Sequence, residues 1–253
     1  MGKYLKPSEE LNRNIVNCLH KALCDDIILD YERSGLARSN SNSYSMRKWD
    51  YVYGNMMQLN SNTVIVGYTV RNPWHLAVLF DCATNTLYAV MREKRFMELS
   101  KSPKRFHHYI TCLAKCFNSD VESDQFRLAG FDAETPDEEV IRTIEKICSD
   151  INVSSEVVER FALVLFSESN HIITDIKLCA VNGRFEICET IDLRGYIDVG
   201  DEVSARIEHV SDNPVDDRST KVKLTGKSRE RLKKRGLSSV ELRKEDEERT
   251  GSL

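Results

Sequence analysis

A chain of 253 residues, 41% hydrophobic and 30% charged, has enough apolar surface to bury a sizeable core, which excludes a disordered or fibrous protein. Its formal net charge of −4 supplies no global attraction for a polyanion, so any nucleic-acid site must be a local basic patch. No apolar run approaches the roughly 18–20 residues that cross a bilayer, no secretion signal opens the chain, and Lys6 stands where a myristoylation site needs Ser or Thr, so a cytoplasmic protein with no membrane partner is expected.

Ser8 is a good N-cap, and Glu9 and Glu10 suit the positive end of a helix. Leu11, Ile15, Cys18, Leu19, Ala22 and Leu23 fall on one stripe, which predicts an amphipathic helix ending between Cys24 and Tyr31. Residues 34–45, rich in Ser and Asn, read as a mobile loop. Residues 49–59 place Trp49, Tyr51 and Tyr53 on one face if extended and are predicted to be a strand. Further strands at 63–71, 74–81 and 87–92 are joined by turns too short for a helical crossover, so they should be antiparallel. From Glu93 to Asn118 the period becomes helical, with Pro103 separating a short helical turn from a helix over 104–117. Thr135, Pro136, Asp137 and Glu138 set an N-cap, a helix-opening proline and a capping acid before the apolar stripe from Val140 to Ile151. Strands follow at 161–166, 172–181 and 184–191, the last two joined through Asn182 and Gly183 as a two-residue hairpin loop.

The fold class that results is α+β, with mainly antiparallel sheet, single or double, built from strand runs 49–92 and 161–191. An N-terminal helix and a central helical segment pack on it. Residues 1–200 should form one domain, and 201–253 a polar, loosely attached extension, basic over 221–235 and acidic over 245–248. The eight cysteines lie in apolar periodic segments and are expected to be reduced, mostly buried thiols.

Candidate chemistry concentrates between positions 92 and 108. Arg92, Lys94, Arg95, Lys101, Lys104 and Arg105, with His107 and His108, stand against only Glu93 and Glu98, and Phe96, Phe106 and Tyr109 are interleaved or adjacent. Cations neutralise phosphates and planar rings stack on unpaired bases, so the segment is expected to bind nucleic acid, single-stranded or RNA. Neither a helix-turn-helix nor a zinc-finger signature accompanies it.

Asp81 and Glu93, flanking a hairpin, offer a second chemistry. Nucleases of the restriction-endonuclease type hold Mg²⁺ between an Asp and a Glu on adjacent strands, followed by a Lys, and the order here resembles theirs. That resemblance implies catalysis by Asp81, Glu93 and Lys94, although the Glu-x-Lys of that type becomes Glu93-Lys94-Arg95. Mg²⁺ enters only with this alternative; otherwise no cofactor is expected. A metal-free ribonuclease would instead take His75, His107 or His108 as base, with arginines stabilising the phosphorane-like charge. His108, Cys112 and Cys116 recur every four residues, but eight helical residues rise about 12 Å, too far for one ion to take all three. They read as core-facing groups and no metal site is expected.

The segment Leu87 to Phe96, following an apolar strand and Asp81, resembles a motif in a family of uncharacterised bacterial proteins of about this length, with the likeness extending to 161–166 and the hairpin after it. The resemblance implies a bacterial cytosolic setting and a fold in which this strand and its basic exit recur together. It brings no activity. Non-catalytic binding of nucleic acid is therefore the leading expectation. The alternatives are a nuclease, and an interaction or regulatory module whose basic cluster docks an acidic protein partner.

Overall fold

A computed structural model describes residues 2–35, 43–71, 74–122 and 137–197. The domain boundary expected near 200, the extension over 201–253, most of the 34–45 loop and the helix-opening pair Thr135 and Pro136 lie outside these residues. The described residues form an α+β protein. Six strands make one sheet in the order β1-β2-β3-β4-β5-β6: β1 Val64–Arg71, β2 Trp74–Asp81, β3 Thr86–Arg92, β4 Arg160–Ser169, β5 Ile172–Val181 and β6 Ile187–Asp192. Neighbours are antiparallel except the central pair β3 and β4, which runs parallel. Two meanders are thus joined by a helical crossover, as a parallel pair requires.

Alternation along the strands divides the core into two layers. Tyr88, Val90, Ala162, Val164, Phe166 and Leu178 face α1 Glu9–His20, the segment Lys21–Asp26 and α3 Tyr44–Met57, and α2 Ile27–Ser34 packs on α3. Leu87, Ala89, Met91, Leu163, Leu165 and Cys179 face α4 Glu93–Ser100, α5 Tyr109–Phe117 and α6 Asp137–Asp150. Coverage on both sides explains why β3 and β4 read as unbroken apolar runs.

The helices follow their signals in part. Ser8 accepts from Leu11 N–H at 3.0 Å, as an N-cap should. The first helix continues past the expected end through a π-helical segment, Lys21–Asp26, and α2 stops only where Gly35 takes the left-handed conformation, φ 65°. The strand expected at 49–59 is instead α3. Trp49, Val52, Tyr53 and Met56 recur at helical spacing, and that stripe lies on the sheet; in a strand Val52 and Met56 would point away from Trp49 and Tyr53. Between α4 and α5, Pro103–His107 is a 3₁₀ turn, and His108 is the cap residue before α5 rather than part of it. The last hairpin also turns more widely than its Asn-Gly dipeptide suggests. Asn182 Oδ1 accepts from the N–H of Arg184 and Glu186, Phe185 takes φ 67°, and β6 begins only at Ile187.

Side chains close the ends of the sheet. On edge strand β1, Val64 N–H donates to Ser61 Oγ at 3.2 Å and Val66 N–H to Asn60 Oδ1 at 3.1 Å, which blunts pairing with another chain. On β6, the Glu189 carboxylate accepts from the backbone N–H groups of Lys3, Tyr4 and Leu5 at 2.7, 2.6 and 3.0 Å. Asn118, buried after α5, donates to Phe161 O and Val181 O, both at 2.8 Å, and accepts from Phe161 N–H, tying that helix to β4 and β5. Among the described residues no helix is long and apolar enough to cross a membrane.

A candidate site where the sheet divides

The β2–β3 ladder ends at Val78 opposite Ala89. Beyond it β2 stays paired with β1 as far as Trp74, and β3 stays paired with β4 as far as Arg92. The two strands therefore part at one end of the sheet, and a cleft of about 910 Å³ occupies the gap. His75 and Leu76 line it from β2, and Val90, Met91 and Arg92 from β3. Because the sheet is open there, both helical layers reach the same space. Trp49 and Tyr53 come from α3 on one face, and Lys94 and Arg95 from α4 on the other, with His107 and His108 beside them. Unpaired strand segments also leave main-chain N–H and C=O groups without ladder partners, which is where a scaffold can offer polar contacts to a ligand.

The aromatic wall is preformed. Trp49 and Tyr53, one helical turn apart, hold their ring centroids 5.3 Å apart, and Trp49 also meets Phe166 at 5.9 Å. Burial pushes the Tyr53 phenol up to about 12, so it stays neutral across physiological pH. Arg92 lies with its guanidinium carbon 5.9 Å from the Trp49 ring centroid.

Beneath this wall is a buried charge network. Glu168 Oε1 accepts from Lys48 Nζ and from Arg92 Nη2, each at 2.7 Å. The side chains of Lys48 and Glu168 are both only 11% exposed, while that of Arg92 is 32% exposed and reaches the cleft. Ladder pairing with β5 shifts register between Ser167 and Glu168, and these neighbours point to opposite faces: Ser167 toward Glu93 at the start of α4, Glu168 toward α3.

The carboxylates expected to share a metal do not meet. Asp81 lies at the far end of β2, opposite Thr86, where it accepts from Ala83 N–H at 3.0 Å and Thr84 Oγ1 at 2.7 Å and so shapes the β2–β3 turn. Glu93 follows the other end of β3, seven residues beyond Thr86 or about 23 Å at strand rise. There it accepts from Ser167 Oγ at 2.8 Å and is ion-paired with Lys177. Lys94 sits in the cleft, so the three residues form no common centre. Among the described residues no three His, Cys, Asp or Glu side chains gather as a metal would require.

Lys177 and Ser167 hold the Glu93 carboxyl below its ordinary value of 4.5. A lowered carboxyl contributes stability that is fully present above the unfolded value and is lost as pH falls through the folded one. Glu93→Gln is accordingly expected to destabilise the protein at neutral pH and to flatten its stability profile below about pH 4.5, in urea titrations at neutral and acid pH. A wild-type profile for the variant would refute this role.

The other residues of the basic segment divide by function. Lys101 and Lys104 are exposed. Arg105 donates to Ser100 O at 3.0 Å and covers the Phe106 ring at 4.4 Å. Phe96 is core, stacked on Phe185 at 4.6 Å. His107 Nδ1 meets Glu139 Oε2 of α6 at 2.7 Å. His108 accepts from Ile110 N–H at 3.4 Å and packs on Tyr109 and Phe185, a helix-capping role. The ring system that faces the cations thus comes from α3, which the basic segment itself does not contain. The helical spacing of Trp49 and Tyr53 was the signal for it.

A family model matches residues 4–242. The chain belongs to DUF5986, a family of unknown function. The match takes in every strand and helix described, and therefore both walls of the cleft. No curated protein and no solved structure matches the chain. As a member of DUF5986 the protein brings no inherited residue roles, so its chemistry rests on its own geometry. Its cysteines add none at the cleft: Cys18, Cys24, Cys112, Cys148 and Cys179 are buried, and burial raises Cys18, Cys24 and Cys148 to about 11 and Cys179 to about 12, which keeps those four thiols protonated.

Proposed function

We propose that this protein binds single-stranded nucleic acid, RNA foremost, in the cleft where β2 and β3 part. The observation that carries the reading is the segregation of its walls, with a tilted pair of aromatic rings on the α3 side and exposed cations on the α4 side. A single strand has the same two-sidedness. Its bases stack on Trp49 and Tyr53, while its phosphates meet Lys94 and Arg95 and then Lys101 and Lys104 along the following turn. Arg95 pairs with Glu98 only at 3.7 Å and in the open, so little is lost when a phosphate replaces that partner. Buried thiols of this kind suit a reducing compartment, which supports a cytosolic setting.

Fluorescence anisotropy with labelled single-stranded RNA, single-stranded DNA and duplex tests the reading. Binding of the single strands should fall between about 50 and 200 mM salt, with a slope near −0.7 per phosphate contacted. Preference for duplex, or no binding at any salt, defeats it; in the second case the same cations are left for an acidic protein partner.

A further inference from the structure

We propose that the cleft also cleaves RNA without a metal, with His107 as general base and His75 as general acid; this rests on the binding reading above. The two rings enter from opposite faces of the divided sheet. His75 is the second residue of β2 on the α3 side, its ring centroid 6.4 Å from that of Tyr68, and His107 ends the 3₁₀ turn on the α4 side. Both are exposed, so the core has no need of either ring. Glu139 provides the second observation. Its carboxylate takes the hydrogen of His107 Nδ1 at 2.7 Å, and in that tautomer the Nε2 lone pair is the basic position left to the cleft. The same arrangement fixes the ring, as a base needs.

In this proposal a strand with its bases on Trp49 and Tyr53 brings its phosphates to Lys94 in the cleft that both imidazoles line. The 2′-hydroxyl attacks the neighbouring phosphorus while His107 Nε2 takes its proton. The P–O5′ bond breaks, and the leaving oxygen takes a proton from the protonated His75. One proton is accepted and one given, nothing is oxidised or reduced, and the products are a 2′,3′-cyclic phosphate and a 5′-hydroxyl. Lys94 and Arg95 offset the charge that builds on the pentacoordinate phosphorus.

The test incubates the whole chain, in EDTA and in parallel with Mg²⁺, with labelled single-stranded RNA, with 2′-O-methyl RNA and with DNA of the same sequence, reading both retention and chain length. Unmodified RNA alone should shorten and carry cyclic phosphate ends. His107→Gln and His75→Gln should each slow cleavage by about 10²-fold or more while still retaining RNA, and Glu139→Gln should slow it less. RNA that is retained but stays intact overturns cleavage and leaves the binding reading standing. Cleavage that takes DNA, needs Mg²⁺ or survives both histidine substitutions overturns the assignment of these residues. Absence of both retention and cleavage overturns the binding reading and this proposal with it.

Discussion

Trp49→Leu is expected to weaken retention of single-stranded RNA by about fivefold or more, since base–aromatic stacking contributes ~1–3 kcal/mol per base. Leucine keeps some apolar cover over Phe166, whose ring centroid lies 5.9 Å from that of the indole, while removing the flat surface, and a urea titration of the variant measures what the lost volume costs the fold. Lys94→Ala combined with Arg95→Ala should also weaken binding, but through a different dependence. Losing two phosphate contacts lowers the magnitude of the salt slope by about 1.4, whereas the tryptophan variant leaves that slope unchanged. Anisotropy titrations at several salt concentrations separate the two walls of the cleft. If Trp49→Leu binds like the wild type, the strand does not run along α3 and the segregation of walls has no functional meaning.

That experiment turns on a residue whose surroundings the sequence conveys only in part. The strands around β3 and β4 were legible because both are covered on each face and therefore read as continuous apolar runs. The α6 helix was legible from its apolar stripe and first-turn acids. Residues 49–59 misled because Trp49, Tyr51 and Tyr53 satisfy a period of two while Trp49, Val52, Tyr53 and Met56 satisfy a helical one, and aromatic residues favour strands on propensity alone. Packing on the sheet decided for the helix. The basic run was visible, yet its geometry was not: where the β2–β3 ladder stops is set by contacts between distant segments, and no local pattern records it. Asp81 and Glu93 show the same limit. Their closeness in sequence across a hairpin suggested a shared site, whereas the length of β3 holds them at opposite ends.

Glu168→Ala should cost about 3–5 kcal/mol of stability, the range for removing one partner from a buried ionic group. Among the described residues, Glu168 is the one carboxylate paired with both Lys48 and Arg92, two cations whose situations differ. Arg92, 32% exposed, can turn into the cleft and be solvated; Lys48, 11% exposed, has no comparable route to water. The stranded charge is therefore Lys48, and Lys48→Met in the Glu168→Ala background should recover much of the loss, since replacing buried ions with apolar groups is often close to neutral. A double-mutant cycle in urea measures the coupling, with values well above 1 kcal/mol expected for contacting groups. Recovery of stability should not bring recovery of RNA retention, because Arg92 remains without the carboxylate that holds it against Trp49. If the double variant regains both, the network serves only the fold; if Lys48→Met fails to rescue stability at all, the buried charge is not what makes Glu168 necessary.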